Sequence, residues 1–111
     1  MDRNEFRERF EQAKKEGNLD IVDLIDQCLA LDTPEMKRQI TMEEAAELSI
    51  ECSKMNRGLG DRIGLLEEMA DIYICLSYLC TIHDVDYEEI CYAVRVKLLR
   101  YLDEHGPKSG A

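Results

Sequence analysis

Two prolines, Pro34 and Pro107, bracket a stretch in which every segment repeats its apolar residues at helical spacing, and none alternates as a strand would. Turn signals then mark where each helix begins and ends. The first helix is expected from about Arg3 to Glu16, with Asp2 and Glu5 spaced as a capping box and Gly17 as its stop. A second, shorter one lies within "LDIVDLIDQCLAL", and "LDTP" ends it because proline disfavours helix in the residue before it. Thr33 as N-cap and Pro34 in the first turn open a third helix to about Arg57, which Gly58 and Gly60 close. Asp61 caps a fourth, reaching about His83. Asp86 and Glu89 open a fifth, which Gly106 and Pro107 stop after His105, leaving "KSGA" as an expected frayed tail. The fold class is therefore all-α, and the 111 residues suit a single domain.

Composition narrows the function. A formal net charge of −10 argues against a phosphate-binding nucleic-acid protein, which needs basic patches. The longest uncharged run, "IYICLSYLCTIH" (72–83), falls short of the roughly 18 apolar residues of a membrane span. The charged start "MDRNEFRERF" is unlike a signal peptide, so a cytoplasmic location is expected. Five cysteines with no CxxC pair, all in helical and mostly apolar stretches, suggest reduced thiols that fill the core.

The acidic residues break the usual rule of helix faces. At about 100° per residue, Glu51 and Met55 fall roughly 20° either side of Glu44, with Leu48 and Ile40 at about 40° and Glu47 at about 60°. Glu44 and Glu51 thus sit inside the apolar sector of the third helix, and Glu47 at its edge. The fourth helix repeats the pattern: Cys75, Tyr78 and Ile82 lie within about 40° of Asp71, and Glu68 at about 60°. Burying an unpaired carboxylate costs several kcal/mol, roughly ten times the repulsion between neighbouring like charges on a helix. A positive partner is therefore required. Lys54 alone is badly outnumbered, and a divalent cation is the expected answer. With all-oxygen ligands, Mg2+ or Mn2+ fits best. His83 and His105 sit at helix ends and are not expected to be ligands.

"EEAAE" (43–47), then twenty residues, then "EMAD" (68–71), resembles the EExxE…ExxD signature of the MazG-like all-α nucleoside triphosphate pyrophosphohydrolases. The resemblance runs from about Pro34 to Arg100, with the motif core at about 34–105 and residues 1–33 as additional N-terminal helices. It implies Glu44, Glu47, Glu68 and Asp71 as magnesium ligands and catalytic residues. Glu43, Glu51 and Glu67 would support these ligands or hold another metal. Lys54, Arg57, Lys97 and Arg100 are candidates to hold phosphates. The implied reaction is Mg2+-dependent hydrolysis of a nucleoside triphosphate between the α and β phosphates, giving a monophosphate and pyrophosphate, as in clearing non-canonical nucleotides. Tyr73, Tyr78, Tyr92 and Tyr101 are candidates to line a base pocket.

Two alternatives stay open at the level of sequence. One is a non-enzymatic acidic helical protein that binds a basic partner or imitates DNA, and the other is a phosphoribosyl-ATP-type pyrophosphatase on the same fold. The fourth helix is apolar nearly all round, through Leu65, Leu66, Met69, Ile74, Leu76 and Cys80. Helices this short cannot bury it in one layer. A bundle with two antiparallel central acidic helices, completed as a homodimer or dimer of dimers, is expected, as the resemblance also implies.

Overall fold

The computed structural model describes residues 1–107, and the "KSGA" tail lies outside the described residues. Five helices and no strand make up the described chain: α1 (Arg3–Glu16), α2 (Val22–Leu29), α3 (Pro34–Asn56), α4 (Arg62–Ile82) and α5 (Tyr87–His105). The all-α expectation holds. No helix among the described residues is long and apolar enough to cross a membrane. Two compact units are present, Met1–Leu79 and the segment from Cys80 onward.

Local chemistry sets the helix ends. Asp2 accepts from the Glu5 amide at 2.8 Å, and Thr33 accepts from the Met36 amide at 3.1 Å. Asp61 accepts from the Gly64 amide at 2.7 Å. Asp86 and Glu89 form a complete capping box. Gly17 and Gly58 close α1 and α3 with φ of 70° and 71°, where a side chain would be strained. α2 starts later than its apolar pattern does. Asn18 accepts from the Asp20 amide at 2.9 Å and Asp20 from the Val22 amide at 3.2 Å, so two side-chain-closed turns compete with the first helical turn.

In the first unit α3 and α4 pack closely and run antiparallel, as their contacts show. Gly64 faces Glu51, Asp71 faces Glu44, Cys75 faces Thr41, and the Tyr78 ring lies 4.3 Å from the Lys37 ammonium. Residue numbers rise along one helix as they fall along the other. Along this seam Cys75 and Tyr78 are the buried apolar residues, and Lys37, Glu51 and Glu68 are the buried charged ones. Every buried side-chain polar atom among the described residues has a partner. Lys37 donates to the Cys28 carbonyl at 2.9 Å and pairs with Asp32 at 3.0 Å.

The expectation for the cysteines needs correction. Cys75 is buried and Cys80 partly so, but Cys28, Cys52 and Cys91 are exposed free thiols. Their apolar neighbours in sequence are themselves exposed, Leu24 and Met55 among them, so apolar surroundings along the chain did not amount to a core. In the second unit α5 carries Ile90, Val94, Leu98 and Leu102 along one side, all exposed.

Candidate metal centre

Glu44 lies near the middle of α3, while Glu68 and Asp71 stand one turn apart on α4 and so share a face. Antiparallel packing brings the two faces together. One carboxylate oxygen from each of the three residues lies within 4.8 Å of the other two. Glu68 is buried, and Glu44 and Asp71 are half-buried. Neither Glu44 nor Asp71 forms an ion pair among the described residues.

The electrostatics follow from this crowding. The Glu44 carboxyl is pushed up to about 7, first by burial, then by the charge of Asp71 and a hydrogen bond with it, then by Glu68 and Glu47. Glu68 is also raised, by burial and then by Asp71, while Arg3 pulls it back. Without a cation, Glu44 therefore resists ionisation near neutral pH.

The other expected residues are placed as follows. Glu47 is exposed and outside the triad, close enough for its charge to raise both Glu44 and Glu68. Glu43 is exposed and accepts from Gln39 at 3.5 Å. Glu51 and Glu67 lie outside the triad and pair with Arg3, Glu51 at 3.0 Å. Lys54 pairs with Glu51 at 3.4 Å, and Arg57 bonds the Ser53 carbonyl at 3.3 Å. Lys97 and Arg100 lie exposed on α5, where Arg100 pairs with Glu104 at 3.0 Å.

Sequence reasoning missed two residues. Arg3 supplies α3 with a positive charge from 48 residues away and α4 from 61 or more, and it reaches Glu51, Glu67, Glu68 and the Gly64 carbonyl. The expectation that Lys54 stands alone among these carboxylates is corrected by it. Nothing local in "MDRNEFRERF" signals that role. Lys37 was readable: seven residues before Glu44, it falls about 20° from it on the helix wheel. It borders a small cavity of about 190 Å³ that Ile40, Glu44, Asp71, Ile74 and Tyr78 also line.

Three carboxylates at this spacing match a hard divalent cation. Octahedral Mg2+ at about 2.1 Å sets its ligand oxygens about 3.0 Å or 4.2 Å apart, so shifts of roughly an ångström or two would close the triad on it. Burial raises the thiol of neighbouring Cys75, which keeps it protonated and the donor set all-oxygen. Compared with models of known protein families, with curated proteins and with solved structures, the chain matches none.

Proposed function

We propose that the protein is a Mg2+-dependent nucleoside triphosphate pyrophosphohydrolase that cleaves between the α and β phosphates. The convergence of Glu44, Glu68 and Asp71 carries this reading. The EExxE…ExxD pattern supports it, since the motif acids on separate helices come together. A protein that imitates DNA would gain nothing from packing three carboxylates into one half-buried cluster.

Glu44, Glu68 and Asp71 would hold the cation. Once bound, it supplies charge neutralisation at the phosphate oxygens and a fixed orientation for in-line attack. Glu47, outside the triad and near enough for its charge to reach Glu44 and Glu68, would take the proton of the attacking water. The water oxygen bonds to the α phosphorus and pyrophosphate leaves with the bridging oxygen. The cavity beside Lys37 and Tyr78 is the nearest recess for the organic part of the substrate. The test is pyrophosphate release from a panel of canonical and modified nucleoside triphosphates, with phosphoribosyl-ATP as an added member, in Mg2+ and in chelator. Release is expected with Mg2+ alone. No release from any member would reject the reading.

The working form is a homodimer or a dimer of dimers. Met69, Tyr73 and Leu76 form an exposed apolar stripe on α4, turned away from the acidic face. With two buried apolar residues in the described chain, that stripe is the surface a second copy would cover. A Leu76→Glu substitution at an exposed site costs a monomer under about 0.5 kcal/mol. In a dimer it buries a charge at a cost of several kcal/mol. Sedimentation equilibrium should therefore give twice 12.8 kDa or more for the wild type and the monomer mass for Leu76→Glu. A monomeric wild type at micromolar concentration rules the stripe out as a self-association surface.

A further inference from the structure

We infer that Arg3 is a positioning residue of the metal centre: its guanidinium is the chain's own counter-ion, filling a second cation position so that the cluster admits one divalent ion per chain. The inference rests on the metal reading above and deepens it.

Five carboxylates gather between α3 and α4, and the basic groups divide them unequally. Arg3 donates to Glu51 at 3.0 Å, to Glu67 and to the Gly64 carbonyl at 3.1 Å, and lies 3.7 Å from Glu68. Lys54 adds a second contact to Glu51 at 3.4 Å. Glu44 and Asp71 receive none among the described residues. Glu68 is thus the shared member, held by the guanidinium on one side and belonging to the triad on the other. A planar fork with several donors suits this task, because it can satisfy different carboxylates at once without deprotonating.

The backbone is shaped for it. Gly64 is buried in α4, and a Cβ there would meet Glu51 Oε2 at 3.1 Å, Asp61 Oδ1 at 3.2 Å and Arg3 Cζ at 3.3 Å. In the first turn of α4, the missing side chain leaves the room that the guanidinium and the Glu51 carboxylate occupy. The first helix is thereby tied to the site. If Arg3 leaves, Glu51 and Glu67 regain an unmet demand for positive charge, and Glu68 is released wholly to the triad.

The test counts Mn2+ bound per chain, from the electron paramagnetic resonance signal of the free ion, in the full-length protein. Four proteins are compared: wild type, Arg3→Gln, Gly64→Ala and Arg9→Gln, the last removing an exposed pair with Glu5. Wild type and Arg9→Gln should bind one ion. Arg3→Gln should bind two, or bind the first at least tenfold more tightly. Gly64→Ala keeps the helix and crowds the guanidinium, so it should move the same way. Arg3→Lys, which restores the charge, should return the count to one. Two ions on the wild type overturn the inference, as do one ion at unchanged affinity in both Arg3→Gln and Gly64→Ala. If the wild type binds none while Arg3→Gln binds one, Arg3 fills the first cation position and not a second, which overturns the inference and the proposed hydrolase together. If none of the proteins binds Mn2+, both fail.

Discussion

Replacing Asp71 by asparagine is expected to abolish pyrophosphate release and, in the same chain, to raise the melting temperature of the metal-free protein. The two effects have one cause. Asp71 contributes twice to holding Glu44 at about 7, through its charge and through a hydrogen bond. An amide keeps a hydrogen-bonding group beside Glu44 and removes the charge. The whole shift, from 4.5 to about 7, corresponds to about 3 kcal/mol, and burial is its largest part. Solvent screening of the half-exposed groups lowers the share due to Asp71 to about 1 kcal/mol or less, a rise of a few degrees. Loss of one ligand should lower turnover by at least about a hundredfold, the scale seen when one charge-stabilising group is removed. Glu51→Gln provides the contrast. Glu51 is buried and held by Arg3 and Lys54, so its loss should destabilise the chain by about 3 kcal/mol, the cost of breaking a buried pair. An Asp71→Asn protein that melts lower and still turns over would make Asp71 an ordinary structural acid.

The difference between the triad's Glu44 and the Arg3-held Glu51 was only half visible in the sequence. The helix wheel placed Glu44 and Glu51 together inside one apolar sector and treated them alike. What separates them is Arg3, brought in by the docking of α1, and no periodicity within α3 or α4 encodes that contact. Caps and stops were readable because they are local: Asp2, Thr33, Asp61 and Asp86 each bond an amide three residues on. The antiparallel pair was readable for the same reason, since a short glycine-bearing turn leaves two long helices little choice. Burial was not. Leu24, Leu76 and Leu98 follow helical spacing as a core would, and all are exposed in the chain. Periodicity shows which face is apolar, and it cannot show whether the same chain or a second copy covers that face.

The stability of the metal-free chain should fall as pH rises from 5 to 8, while its affinity for Mn2+ climbs over the same range. Glu44 has a folded value of about 7, above its ordinary 4.5. A group raised on folding favours the folded state fully below its unfolded value, and that contribution is lost as pH passes through the folded one. The loss amounts to at most about 3 kcal/mol, reduced by screening, and it falls in a window where ordinary carboxyls no longer titrate. Metal binding runs the opposite way because the ion needs Glu44 ionised. Below pH 7 affinity should drop about tenfold per unit, and uptake at pH 7 should release about half a proton. Titration calorimetry in two buffers of different ionisation heat counts that proton directly. Melting curves with and without saturating Mn2+ should diverge towards pH 8, since the ion replaces the proton that Glu44 otherwise holds. Glu44→Gln should flatten the metal-free profile, which separates this group from the self-repulsion of a chain with net charge −10. A metal-free protein whose stability climbed steadily from pH 5 to 8 would mean that Glu44 is already ionised there, with no room in the cluster for the proposed exchange.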